Sequence, residues 1–365
     1  MRISELTTDL LRIPHGKTSR VSLTAPKSNG PETVDLILVH LQTDDGLKGL
    51  GLTYLLGAGA ATIRSFIDTE LSQVVIGEDP RNTDGLFAKA ESRFRPVGFA
   101  GLAARAYSAI DIALWDLKAK AAKLPLFQLL GSAKQAAPFF ASDIAVEGRD
   151  AAEVLKLAKP LLKQGATGVR VEIGRGDVQA DAERVREISD GLGEDSWVGV
   201  AADGCFDLGT AQALAHFFED IGVDWFEDPI PASDEPGYAK LAGLMETPLA
   251  VGCGFASREA FFRVIRAGHV RTVRPDICRL GGITPILKIA AVAEAYHVAV
   301  SPVRLPEVSV HLACGLGVVP HVDSASWFRE VFTGGATIEG GKLIPSAEPG
   351  LGLEVNQESS VFQGK

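Results

Sequence analysis

Two β-rich runs of alternating apolar and polar character lie between residues 33 and 54 (TVDLILVHLQTDDGLKGLGLTY), separated by Asp44-Asp45-Gly46. Asp-Gly between such runs predicts an antiparallel hairpin. A helical pattern follows from about Ala60 to Val75. Another runs from Ala103 to Leu130, where ALWDLKAKAAKL is apolar over most of its circumference, so this helix is expected to be largely buried. Pro125 ends that pattern.

From about Pro138 the pattern changes to short β-rich runs with helical segments between them. The runs are FFASDI, GVRVEI, WVGVAA, VDWFED, PLAVGC, VRTVRP, VAVSPV and VVPHVD. Eight strands alternating with helices predict a closed parallel (β/α) barrel, an α/β architecture. Gly281-Gly282 before Thr284-Pro285 reads as a loop leading to an N-cap at Thr284 and a proline at the first helical position. The Gly-rich tail ends in EPGLGLEVN, read as a strand returning to the first unit. The expected organisation is an N-terminal α+β capping domain over 1–130, a barrel over 131–332, and a C-terminal tail over 333–365 that completes the cap.

Composition narrows the partners. With a net charge of −10 and no stripe of Lys and Arg, the chain lacks the basic footprint that nucleic acid requires. Four scattered cysteines without a C-x-x-C pair read as reduced thiols, which places the protein in the cytoplasm. The opening MRISELTTDLLRIPHG carries acids where a signal peptide needs an apolar core, and Glu294 interrupts the best candidate span, IAAVAEAYHVAV. Neither export nor a membrane partner is expected.

Chemistry in such barrels sits at the C-terminal ends of the strands. That rule selects Asp143, Arg170, Glu172, Ala201, Asp203, Glu227, Asp228, Cys253, Asp276, Val303 and Asp323 for scrutiny. Some acids there are expected to be helix N-caps rather than functional groups.

The segments SAIDIALWDLKAKAAKLPLFQLLG (108–131), FEDPIPASD (226–234) and PDICRLGGITPILKIA (275–290) resemble signatures of the mandelate racemase and muconate-lactonising families of the enolase superfamily. The order of hairpin, helices, eight βα units and PGLG tail is similar over nearly the whole chain. The resemblance implies a magnesium ion held by three acids, one from each of strands three, four and five. In the family register these positions are Ala201, Glu227 and Cys253. The K-x-K base motif of strand two falls on Arg170-Val171-Glu172, the Asp-His dyad on Asp276 and Val303, and the last strand's electrophilic acid on Asp323. In that register most of the family's catalytic positions are replaced.

These replacements set the remaining expectations. Magnesium wants oxygen ligands, Ala201 offers none and Cys253 offers a soft sulfur, so no cofactor is expected. Magnesium is foreseen only if Asp203, Glu227 and Glu172 rebuild a site. Arg170 cannot act as a base, but it can clamp a carboxylate or face a developing oxyanion, unless it merely pairs with Glu172 or nearby charges. Glu172 or Asp276 is the candidate base, with Asp323 beside them, while Asp203, Cys253 and Val303 are expected to contact the ligand. Cys253 lacks a recognisable His partner, His321 could face the interior near Asp323, and His311 is expected to pack on a helix. The main reading is an isomerase or lyase, a racemase/epimerase or dehydratase, that abstracts a proton α to a carboxylate of a small hydroxy-acid or sugar acid without the usual magnesium site. A non-catalytic small-molecule-binding descendant and a conventional magnesium-dependent sugar-acid dehydratase are the alternatives. A small anionic ligand is the expected partner, and the resemblance implies a homo-oligomer.

Overall fold

In the computed structural model, the alternating runs of the first unit form a three-stranded antiparallel sheet: β1 (Ile3–Pro14), β2 (Thr33–Thr43) and β3 (Lys48–Leu56), with β2 central. Residues 1–14, 33–146, 148–174, 176–325 and 327–359 are described. Gly46 turns the hairpin with φ 86°, in the left-handed region that Asp-Gly turns require.

Helix Leu102–Ala121 lies across β3 and is buried nearly all round, as its sequence predicts. The backbones approach so closely that a Cβ at Gly51 would stand 1.8 Å from the Ala109 carbonyl oxygen and 2.7 Å from the Ala113 nitrogen. A rigid backbone cannot yield as a side chain can, so Gly51→Ala is expected to destabilise the fold by about 1–3 kcal/mol or more. Urea denaturation checks this, with Gly46→Asn as a tolerated turn control.

The polar residues of this helix join the two units. Asp116 accepts from Leu50 N (2.9 Å) on β3 and from Leu351 N (2.8 Å) in the tail. Asp111 accepts from Thr284 N (2.9 Å) and Thr284 Oγ1 (2.6 Å), and Trp115 Nε1 donates to the same hydroxyl (2.9 Å). This corrects the expected cap: helix Ile283–Ala295 begins from Gly282, at φ 107°, and Thr284 sits inside its first turn. Asp111 supplies the capping acceptor from another element, and a Cβ at Gly282 would collide with it at 2.4 Å.

All eight predicted strands are present: β4 (Phe139–Ala145), β5 (Gly168–Glu172), β6 (Trp197–Ala201), β7 (Trp225–Glu227), β8 (Leu249–Val251), β9 (Thr272–Val273), β10 (Ala299–Val300) and β11 (Val322–Asp323). They form one parallel sheet in the order β10-β9-β8-β7-β6-β5-β4-β11, curled so that the last strand lies beside the first. At the seam, the Val300 N–H donates to Val318 O (3.1 Å). Helices begin where acids cap them: Asp150, Asp177, Asp207 and Asp234 each accept from a first-turn N–H, as does Ser257. The tail strand Leu353–Val355 pairs antiparallel with Phe332–Gly334. Just before it, Gly350 exchanges hydrogen bonds with Leu124 and Leu126 beside the long helix.

Among the described residues no helix is long and apolar enough to cross a membrane. Cys253, Cys278 and Cys314 are free thiols.

Candidate active site

The C-terminal ends of the barrel strands and the end of β3 enclose a cavity of about 270 Å³. That is slightly below the range typical of drug-sized ligands and suits a small metabolite. Its chemistry is set by a charged network below the mouth. Arg170, on β5, grips Glu227 of β7 with two parallel bonds, Nε to Oε2 at 2.7 Å and Nη2 to Oε1 at 3.0 Å. Its remaining Nη1 donates to Glu172 Oε1 at 3.1 Å.

Arg274 extends the network. It donates to Glu227 Oε2 (3.2 Å), Asp323 Oδ2 (2.9 Å) and Ser301 Oγ (2.7 Å). Its guanidinium lies over the rings of Trp225 and Phe140, 5.0 and 5.3 Å from their centroids. Asp323 also accepts from the Ser142 hydroxyl. Burial raises the cost of charging Glu227 and Asp323, yet Arg170 and Arg274 outweigh it and hold both carboxyls below their ordinary range. Glu227, Arg274 and Asp323 lie beneath the cavity; Arg170 and Glu172 reach its wall.

Asp276 also lines the cavity, but its oxygens are committed. Oδ1 accepts from Cys278 N (2.9 Å) and Arg279 N (3.2 Å), capping the short helix Ile277–Leu280, and Oδ2 accepts from the Tyr54 hydroxyl (3.1 Å) of the capping sheet. Burial works against its charge, but Arg105, 3.6 Å away, and Arg279 bring its pKa below the usual value. Val303 is buried and bridges to Asp276 through backbone pairing. Asp203 is exposed at the mouth in a left-handed conformation (φ 52°), and Ala201 lines the wall nearby. Cys253 lines it too, with its thiol pushed up to about 12 by burial.

Neither His321 nor His311 lines the cavity. His321 packs among Phe140, Trp197 and Trp225, and burial drops its pKa to about 4. His311 packs on helix Pro306–Gly315 and meets Leu351 O at 3.1 Å.

Five participants were not selected from the sequence: Tyr54, Arg105, Arg274, Arg279 and Arg304. Arg274 stands two residues before Asp276, so strand alternation was an available signal for it. The others come from the capping unit, from the short helix Ile277–Leu280 or from the turn past β10, where alternation says nothing.

Glu227, Asp228 and Cys253 place ligand atoms within 4.8 Å of one another, the group of described residues able to hold a metal ion. Asp228 Oδ1 accepts from Gly252 N (2.8 Å), while its buried Oδ2 has no hydrogen-bond partner among the described residues, and burial lifts this carboxyl to about 7. Such an orphaned acceptor is what a cation satisfies.

Comparison with known proteins identifies the setting of this site. Residues 153–359 match the enolase C-terminal domain-like family, and residues 20–131 match the mandelate racemase/muconate lactonizing enzyme N-terminal domain. The chain is 29% identical over 326 residues to the L-talarate/galactarate dehydratase of Salmonella typhimurium, covering 89% of this chain and 82% of that one. A 3,6-anhydro-alpha-L-galactonate cycloisomerase of Streptomyces coelicolor is 30% identical over 319 residues (87% and 86% covered). The crystal structure of an L-talarate dehydratase from Polaromonas sp. JS666, complexed with Mg and L-glucarate, superposes with a TM-score of 0.88 at 29% identity, covering 99% of this chain and 97% of that one. A relative solved with magnesium and a sugar acid, together with the cluster at Glu227, Asp228 and Cys253, overturns the expectation that no cofactor is involved. It also replaces the foreseen trio of Asp203, Glu227 and Glu172: only Glu227 belongs to the cluster, and Glu172 is bound to Arg170 instead.

Proposed function

The chain belongs to the mandelate racemase/muconate lactonizing enzyme family of the enolase superfamily, and from that premise we propose that it is a sugar-acid dehydratase or cycloisomerase. In this reading residues 1–130 are the cap, 131–332 the barrel and 333–365 the returning tail. The reaction begins by removing the proton α to a carboxylate in the cavity between cap and barrel. The observation that carries the proposal is the cavity wall itself, where the carboxylate of Glu172 and several guanidinium groups face one small volume.

Glu172 is the group suited to take the proton. It ends β5, it is half-buried, and its single bond to Arg170 occupies Oε1 and leaves Oε2 for the substrate. Asp276, tied to two backbone N–H groups and to Tyr54, is better suited to fix the cap on the barrel and to orient Arg105. Cys253 and Asp203 contact the ligand at the mouth, and Val303 backs it.

The residues that would hold a divalent cation are Glu227 and Asp228, with water completing the shell, because magnesium prefers oxygen donors to the soft sulfur of Cys253. When bound, such a cation supplies Lewis-acid stabilisation of the charge that develops on the substrate carboxylate. Glu227 reaches it in competition with Arg170, which holds both of its oxygens.

The test uses the purified protein in deuterated, magnesium-containing buffer with a panel of aldonic and aldaric acids. At least one acid is expected to incorporate deuterium at its α-carbon, or to appear as an isomer or as a keto acid lighter by one water. NMR and mass spectrometry read both results. A panel showing neither exchange nor product overturns the proposal in favour of a binding protein.

A further inference from the structure

Two of the guanidinium groups on the cavity wall have their charge already met. Arg170 is matched by Glu227 and Glu172, and Arg105 lies 3.6 Å from Asp276 and donates to Tyr54 O at 2.8 Å. Arg304 is different. It lines the same cavity, yet it makes no ion pair and no side-chain hydrogen bond with any described residue. Its guanidinium stacks on the face of Trp327, 4.7 Å from guanidinium carbon to ring centroid. That stack takes one face of the planar group and leaves its N–H edge without a protein acceptor among the described residues. Beside it in the cavity, Arg279 has a buried Nε with no hydrogen-bond partner among the described residues.

The backbone adds to this. Arg304 and Leu305 are consecutive left-handed residues, with φ 57° and 48°, a conformation bulky side chains adopt rarely. The Arg304 carbonyl is held there by the Ser309 hydroxyl at 2.7 Å. A constrained turn, an aromatic platform and a guanidinium with no direct ion-pair partner among the described residues, all at one cavity, together describe a preformed oxyanion receptor.

We propose that Arg304, supported by Trp327 and Arg279, is the residue that binds a carboxylate of the substrate and so selects acids over neutral polyols. This deepens the sugar-acid reading and rests on it. The geometry assigns Arg304 to binding and orientation; the proton is taken elsewhere, by Glu172.

The test compares binding of galactarate, galactonate and the neutral polyol galactitol to the full chain by calorimetry. The wild type is expected to bind the acids and not galactitol. Arg304→Met and Arg304→Gln are expected to weaken acid binding about 10- to 100-fold, the effect of losing a hydrogen bond to a charged group. Arg304→Lys retains the charge without the fork and falls between. Trp327→Leu keeps the guanidinium and removes its platform, so it is expected to weaken acid binding several-fold; it serves as the second route if the Arg304 variants melt early. Acid affinity unchanged within twofold in folded Arg304 variants overturns the assignment. If the wild type binds no sugar acid, the functional reading fails, and malonate tests the receptor alone. Thermal protection by malonate that disappears in Arg304→Met supports the receptor, whereas equal protection, or none in either protein, overturns it.

Discussion

Glu172→Gln is expected to slow α-proton exchange about 10²- to 10⁴-fold, the usual contribution of a general base, while leaving the melting temperature close to that of the wild type. Glutamine keeps the shape of the side chain and its carbonyl still accepts from Arg170 Nη1, so the network beneath the site loses no bond. What disappears is the proton acceptor. The argument depends on contrast with the other acids. Asp276 accepts three hydrogen bonds and sits beside Arg105; Asp323 is buried under Arg274; Glu227 is clamped by Arg170. Each stays charged because a cation or N–H donors favour its anion, and the same interactions make it a weak base. Exchange that survives Glu172→Gln and ends with Asp276→Asn would reverse the assignment.

Replacing Arg274 by Met is expected to cost about 3–5 kcal/mol in urea denaturation, the range for breaking a buried ion pair from one side. Arg274 is fully buried and touches Glu227, Asp323 and Ser301 at once. Its removal leaves Asp323 with the Ser142 hydroxyl as its one side-chain hydrogen-bond partner among the described residues and leaves one cation, Arg170, bonded to Glu227. Adding Asp323→Leu removes the stranded charge, so the double variant is expected to recover much of the loss, a coupling that a double-mutant cycle measures directly. The sign of the pH dependence follows from the same contacts. Glu227 and Asp323 have folded pKa values below their unfolded ones, so their stabilisation is present above the ordinary carboxylate range and is lost as pH falls through the depressed values. A single Arg274→Met costing less than 1 kcal/mol at neutral pH would show that the network is not what holds the barrel interior together.

Element by element, the frame was legible because its signals are periodic. The Asp-Gly turn and the eight short β-rich runs each became the element they predict, while the helical pattern read from Ala103 to Leu130 became helix Leu102–Ala121 and a short helix Leu126–Leu129 after Pro125. The site was legible only where alternation continues to the strand end: Arg170 and Glu172 share a face because they are two apart on β5, and Glu227 ends β7. Arg304 follows the last paired residue of its run, and its left-handed backbone breaks the alternation that could have aimed it. Tyr54 and Arg105 reach the cavity because the cap docks on the barrel, a relation between distant segments that no local pattern carries. The partner of Arg170 was equally hidden: sequence spacing placed Glu172 on its face, while the bidentate grip goes to Glu227, 57 positions away. His321, two before Asp323, faces the interior as alternation suggested, packed there among aromatic rings.

The pairing of β11 with β4 governs the order of assembly as well as the shape. Ser142 and Asp323, whose side chains meet at that junction, are separated by 181 positions. During synthesis β4 is made early and must wait, one edge unpaired, until nearly the whole barrel has emerged. Contacts of such sequence separation form slowly, because a long loop must close before it is rewarded. The waiting edge is the most exposed template for wrong pairing. A chain truncated just before Val322 is therefore expected to show its defect first as aggregation on the ribosome or during refolding, before any loss of the chemistry assigned to Glu172 could be measured.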